Sequence, residues 1–98
     1  MNMNAVQQHL DNLGKTGRDK VTGLEGVIDS LCFDLYGCIQ YMIKPKAKEN
    51  GELVNSYWID VTRVEVINDE RVMPLPDYDS GYIAEGKKGA ADKPASKA

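Results

Sequence analysis

The stretch DKVTGLEGVIDSLCF, residues 19–33, decides the fold class. Its first half holds Gly23 and Gly26, which predict a tight turn because glycine adopts backbone conformations that are costly for other residues. Its second half alternates, and the period of two predicts a long strand. One face is expected to hold the odd-numbered residues and the other the even-numbered ones: Val27, Asp29, Leu31 and Phe33 against Ile28, Ser30 and Cys32.

The same alternation predicts four more strands around this one. A tight turn at Gly37 and a hairpin loop over 46–53, with Glu49-Asn50-Gly51 as its turn signal, separate three of them. Asp60 is expected to begin one tight helical turn and to hold it through its side chain. The additional strands are predicted over residues 19–21, 39–43, 55–60 and 64–67.

The alternation also assigns aromatic side chains to faces of the sheet. Tyr41 and Tyr57 are expected in the core, and Trp58 is expected to point outward. Two alternatives follow for Trp58. It is either covered by residues 3–13 or 74–82, or left uncovered as an anchor for a protein interface.

The N-terminal residues predict a short helix over 3–13. Val6, Leu10 and Leu13 follow one another at helical spacing, and Gly14 is a natural stop. Because a helix of this length is marginal alone in water, its apolar stripe must dock. The surface that receives it is either the chain's own sheet or a neighbouring subunit.

Five short strands and a helical turn before the last one give the order of an SH3-like barrel. We therefore expect an all-β fold with a small α element, a five-stranded barrel closed by pairing of its first and last strands. Four parts are predicted: an N-terminal helical arm at 1–14, the SH3-like β-barrel at 18–68, an extended segment that could lie on the barrel at 69–83, and a disordered tail rich in Gly, Ala and Lys at 84–98.

A family resemblance agrees with this order. The residues DKVTGLEGVI, 19–28, look like the opening of KOW-type and SH3-like barrels. Together with Tyr36-Gly37-Cys38 and Trp58-Ile59-Asp60, they are similar to small proteins of unknown role encoded by tailed phages and prophages. The resemblance spans residues 18–67 and implies a phage setting, in the host cytoplasm or in the virion. It transfers no active residue.

Composition narrows the function classes. The 98 residues carry a net charge of −3, whereas a nucleic-acid-binding protein usually presents a basic face. No apolar run approaches the roughly 20 residues that span a bilayer, and the first residues do not follow a signal-peptide pattern. Protein is therefore the expected partner, without a membrane. A nucleic-acid-binding barrel that uses Lys15, Arg18, Lys20 and the basic tail remains an alternative.

Catalysis is not predicted, because no candidate group has the partner it needs. His9 is the lone histidine, and a nucleophile needs a positioned base. The acids Asp29, Asp34 and Asp60 are expected to face water. Gly14-Lys15-Thr16 lacks the upstream glycine and the preceding strand of a phosphate-binding loop.

No metal or cofactor is predicted either. Cys32 and Cys38, even with His9, fall short of the four ligands of a structural zinc site. The two cysteines are interpreted as half-buried thiols, with a disulfide across a hairpin as the alternative.

A binding surface is the expected functional feature. We expect a non-enzymatic phage accessory or structural protein that acts through protein–protein contacts, and small barrels can also assemble into homo-oligomers through strand edges and apolar arms. A modulator that binds and inhibits a host protein is the first alternative. The partner-binding candidates are Trp58, Tyr36, Val6, Leu10 and Leu13.

Overall fold

The computed structural model describes residues 4–79 and contains one short helix and five strands. No helix within these residues has the length and apolarity needed to cross a membrane. The elements are α1 (Asn4–Asp11), β1 (Thr16–Asp19), β2 (Glu25–Phe33), β3 (Ile39–Lys44), β4 (Tyr57–Asp60), a 3-10 turn (Val61–Arg63) and β5 (Val64–Asn68).

All five strands join one open antiparallel sheet in the order β4-β3-β2-β1-β5. This confirms the prediction of an all-β fold with a small helix. The predicted pairing of the first and last strands is also present, since β1 pairs with β5. Within the described residues, β4 and β5 form the two edges of the sheet.

The first strand lies earlier than predicted. It was expected over 19–21, but it forms at Thr16–Asp19 and residues 20–24 form the turn. Gly23, at a φ of 83°, donates its N–H to the Asp19 carbonyl at 2.8 Å, and the Asp19 N–H donates to the Leu24 carbonyl at 2.8 Å. This local turn chemistry outweighs the β propensity of Val21, which is left exposed.

The strict alternation predicted for β2 is wrong, because the strand has an irregular register at Asp29. Ile28 pairs with Ile43 and Ser30 pairs with Met42, so Asp29 is an extra residue in the ladder. One inserted residue exchanges the two faces of everything beyond it. Leu31, opposite Tyr41, therefore lies on the same side of the sheet as Ile28.

The core lies on one face of the sheet. Tyr41 is buried as predicted, but Tyr57 is 51% exposed although it shares a face with buried Ile59. Tyr57 is the first residue of an edge strand, where fewer neighbours cover a side chain. The buried apolar residues are Leu13, Ile28, Tyr41, Ile43 and Ile59.

Helix α1 docks on the sheet of its own chain. Leu13, just beyond the helix, is one of the core residues, and Leu10 packs against that core. The Asn12 side chain donates a hydrogen bond to the Tyr41 hydroxyl at 3.0 Å, and His9 Nδ1 lies 3.3 Å from the same oxygen. Of the two docking alternatives, the structure contains the intrachain one.

The segment after β5 returns to the end of α1. Arg71 donates to the carbonyls of Asp11 and Leu13, at 2.6 and 3.2 Å, and the Val72 N–H donates to the Gly14 carbonyl at 2.9 Å. Leu75 packs against the core. The rest of the predicted extended segment, 80–83, and the predicted disordered tail, 84–98, lie outside the described residues.

Two predicted turns are confirmed. In the hairpin loop, the Lys48 N–H donates to the Glu52 carbonyl at 2.8 Å, around the predicted turn residues. After β4, the Asp60 carboxylate accepts the Thr62 N–H at 2.8 Å and so caps the 3-10 turn.

Candidate functional site

A cleft of about 510 Å³ runs beside the edge strand β4. Residues of β4 line one part of it, and the turn between β1 and β2 together with an acid–base pair lines the rest. We call it the β4 cleft, and its lining residues are Tyr57, Trp58, Ile59, Thr22, Gly23, Leu24, Asp19 and Arg63.

The charged groups of the β4 cleft are Asp19 and Arg63. Asp19 is only 1% exposed, and its Oδ1 accepts hydrogen bonds from Arg63 Nε at 3.0 Å and from the Val21 N–H at 2.9 Å. Its Oδ2 accepts from Arg63 Nη2 and from the Thr22 hydroxyl. The Arg63 guanidinium, helped by Thr22 and Val21, lowers the pKa of Asp19 well below its usual value. The pair is therefore ionised and contributes no net charge to the cleft.

Sequence reasoning missed the Asp19–Arg63 pair. Asp19 was interpreted as the start of a strand, and Arg63 lies 44 residues further along the chain. The one local signal is Thr22 three residues after Asp19, a spacing that suits a side-chain-held turn. That signal predicts the turn but cannot identify a distant arginine.

Two aromatic side chains give the β4 cleft its exposed apolar surface. Trp58 is 44% exposed and Tyr57 is 51% exposed. Of the two alternatives for Trp58, the described residues are consistent with the uncovered one, since neither α1 nor residues 74–79 bury it. Residues 80–82, the other part of the expected cover, lie outside the described residues.

The other exposed aromatic candidate, Tyr36, lies away from the cleft at the turn between β2 and β3. It is 87% exposed, and its neighbour Leu35, which the sequence reasoning did not single out, is 90% exposed. Asp34 holds this turn by accepting the N–H groups of Tyr36 and Cys38, both at 2.9 Å. These bonds, that of Cys38 first, lower the pKa of Asp34. We call Leu35 and Tyr36 the hairpin tip.

The helix candidates do not join either surface. Leu13 is a core residue and Leu10 packs against the core, so neither is available to a partner in this state. The structure therefore places both side chains against their own sheet and not on a partner-facing surface. Val6 is exposed, but it does not line the β4 cleft.

No protein-family model, curated protein or solved structure matches this chain. The function must therefore be argued from the geometry and charges of these surfaces.

The thiols do not form a reactive pair. Cys32 and Cys38 are both free; Cys32 is half-buried as predicted, but the same prediction for Cys38 is wrong, since Cys38 is exposed on the turn between β2 and β3. The neighbouring Asp34 carboxylate, followed by burial, raises the pKa of the Cys38 thiol and so disfavours the nucleophilic thiolate. Residues 4–79 contain no cluster of three or more His, Cys, Asp or Glu side chains suited to a metal ion.

Two of the three basic residues named for the nucleic-acid alternative, Lys15 and Arg18, lie beside acids. Lys15 Nζ is 3.4 Å from Asp11 and 3.5 Å from Asp69. Arg18 bonds to Glu25 at 3.1 Å, and its other terminal nitrogen lies 3.8 Å from Glu65. These pairs neutralise most of the patch that phosphates would need.

Proposed function

We propose that this chain is a non-enzymatic accessory or structural protein of a phage or prophage. It acts through protein–protein contacts, in the host cytoplasm or in the virion. The observation that carries this proposal is the β4 cleft, in which half-exposed Tyr57 and Trp58 lie along a sheet edge that no other strand among residues 4–79 covers.

We further propose that the sheet belongs to the SH3-like barrels. Three features support this. The strand order is β4-β3-β2-β1-β5, the long strand β2 has an irregular register that allows it to bend, and a single 3-10 turn joins β4 to β5.

The chemistry of the cleft favours a protein segment as its occupant. Aromatic side chains give a large contact area and are enriched at interface hot spots. The unpaired backbone groups along an edge strand can bind an extended segment by strand addition. Because Asp19 and Arg63 cancel each other's charge, the cleft does not select for a charged segment, and a mainly apolar one fits best.

The acids support a role without catalysis. General acid–base work at neutral pH needs a carboxyl group whose pKa is raised towards 7. Hydrogen bonds instead lower the pKa of Asp19, of Asp34 and, through Thr62, of Asp60. Each of the three carboxylates accepts a hydrogen bond from a backbone N–H of a turn and so stabilises that turn. We therefore assign them a structural role.

The hairpin tip favours the second candidate, a modulator of a host protein. Leu35 and Tyr36 project from a turn that Asp34 holds in place, and an apolar tip of this kind can enter a pocket on another protein. The two candidates therefore use different surfaces of the same chain.

A pull-down from bacterial lysate tests both candidates. The immobilised full chain is compared with Tyr57→Ser/Trp58→Ser and with the matched variant Leu35→Ser/Tyr36→Ser, after circular dichroism has shown that all three are folded. We expect captured protein to be lost from the cleft variant and retained by the tip variant. The opposite result supports the modulator. Capture unchanged in both, or no capture from a monomeric chain, contradicts the proposal.

A further inference from the structure

This inference rests on the proposed function and names its partner. We propose that β4 binds β4 of a second copy of this chain, in antiparallel orientation. The two strands would be related by a twofold axis that passes beside Trp58 and runs perpendicular to the sheet. The pairing would join two five-stranded sheets into one continuous sheet.

The outer edge of β4 has few of the features that prevent strand pairing. Its ladder with β3 runs without a register shift, from Gln40 opposite Asp60 to Ile43 opposite Tyr57. The strand contains no lysine or proline, and its single charge is at its last residue. Natural edge strands are usually protected by charges, prolines or bulges. Among residues 4–79, no strand pairs with this edge.

The opposite edge, β5, is better protected. It carries Glu65 as its second residue and is followed directly by Asp69 and Glu70. Its ladder with β1 also has a register shift between Thr16 and Gly17. A pair of β5 strands centred on Glu65 would oppose two carboxylates, whereas a pair of β4 strands centred on Trp58 opposes no like charges.

Symmetry restricts the register of a β4 pair. In an antiparallel pair, directly opposed residues point to the same face of the sheet. A twofold axis perpendicular to the sheet keeps every side chain on its own face, so the axis must pass midway between one residue and the same residue of the second copy. With the axis at Trp58, the two tryptophans face each other and Tyr57 faces Ile59 of the partner subunit. An axis at Asp60 would oppose two carboxylates. An axis at Ile59 would place Trp58 against Asp60 of the partner subunit.

The register centred on Trp58 matches side chains on both faces. On the outer face, Met42 of β3 lies beside Trp58 of β4. The axis would therefore bring together the uncharged Met42–Trp58 pairs of the two copies. On the core side, the exposed part of Tyr57 would gain a cover that residues 4–79 of its own chain do not supply. Aromatic and aliphatic pairs across strands are each worth about 0.2–1 kcal/mol.

The register centred on Trp58 places the single acid of β4 opposite an uncharged residue. Asp60 would face Ser56 of the partner subunit, a small polar residue that precedes β4. Continuing the β3–β4 register by one residue places Lys44 beside Ser56. The Lys44 backbone would then lie about 10 Å, two strand spacings, from that of Asp60 of the partner subunit. Lys44 Nζ lies 3.1 Å from Asp29 of its own chain, so Asp60 of the partner subunit would share this lysine with Asp29.

Sedimentation velocity on the full chain tests this pairing directly. We expect a monomer–dimer equilibrium with a Kd below about 1 mM. Trp58→Lys would oppose two like charges at the axis and should raise Kd at least about tenfold. The matched variant on the other edge, Ile67→Lys, should leave Kd within about twofold.

Amide hydrogen exchange gives a second readout on the unaltered chain. We expect protection in residues 57–60 to rise with protein concentration, while protection in β5 stays constant. A monomer up to about 1 mM overturns the inference. So does a dimer that Trp58→Lys leaves intact, or one that both variants disrupt, since the latter indicates pairing of β4 with β5.

Failure of this inference is distinguishable from failure of the proposed function. A chain that stays monomeric but captures another protein through Tyr57 and Trp58 contradicts the self-pairing alone. A monomer that captures nothing contradicts both.

Discussion

Arg63 donates hydrogen bonds from Nε and Nη2 to the two carboxylate oxygens of Asp19, across 44 positions of the chain. Asp19 ends β1, and Arg63 ends the 3-10 turn that leads into β5. The Lys20 N–H also donates to the Arg63 carbonyl at 2.7 Å. The ion pair therefore holds the last strand against the first one.

The Asp19–Arg63 pair should make stability fall in acid. Because the folded-state pKa of Asp19 is lowered, its contribution is present above the unfolded-state pKa of about 4. It is lost as pH falls from there towards the folded-state value. We expect the urea midpoint to drop below about pH 4, and Asp19→Asn to give a lower midpoint at neutral pH with a flatter acid dependence. Glu49→Gln, at an exposed loop position, is the control and should keep the wild-type profile.

Gly26 should not tolerate a side chain. A Cβ at this position would meet the backbone of Lys44 and Pro45, which cannot rotate away. We expect Gly26→Ala to lower the free energy of unfolding by about 2–3 kcal/mol, measured by urea denaturation. Gly23→Ala is the comparison, because a Cβ at this position meets nothing within 4 Å. The alanine there is destabilising only through the backbone strain of the positive φ. Equal losses in the two variants would contradict the steric explanation.

Arg71 should secure the N-terminal helix. Besides the two carbonyls, its Nη2 donates to the Asp11 carboxylate at 2.7 Å. A cation near a helix C-terminus is favourable, and its hydrogen bonds satisfy exposed carbonyls. We expect Arg71→Ala to cost about 1–2 kcal/mol of stability and to speed amide exchange in α1. Lys46→Ala removes an exposed cation and is the control, so it should change neither the stability nor the exchange in α1. Unchanged amide exchange in the Arg71→Ala variant would refute the prediction.

Cys38 should react slowly for an exposed thiol. The Asp34 carboxylate raises its pKa, so less thiolate is present at a given pH. We expect Asp34→Asn to increase the rate with a disulfide reagent at pH 8, assayed in a Cys32→Ser background. Asp29→Asn serves as the control. A rate that Asp34→Asn leaves unchanged would show that burial, not charge, governs this thiol.

Much of the sheet could be predicted from local patterns. The strand of Ile39, Tyr41 and Ile43 alternates without interruption, and the turn after Asp60 depends on an adjacent residue, so both were predicted correctly. The pairing of first and last strands followed from the order of the elements.

The incorrect predictions concern features that depend on residues far apart in the sequence. The extra residue at Asp29 is visible only against β3, and the exposure of Tyr57 depends on β4 being an edge. Of the features of the β4 cleft, only the outward position of Trp58 was predicted. The cleft also depends on Asp19, whose role requires a partner 44 residues away.

The pairing of β1 with β5 has a consequence for how the chain folds. The β2–β3 hairpin closes across a turn of a few residues, whereas Thr16 pairs with Asn68 only after about fifty residues have been ordered between them. Local loops close at a smaller entropic cost, so we expect the hairpin to form first and β5 to dock last. An interaction absent from the transition state affects mainly the rate of unfolding. Asp19 and Arg63 would then act as a kinetic latch, which governs how long the folded state survives and leaves its rate of formation almost unchanged.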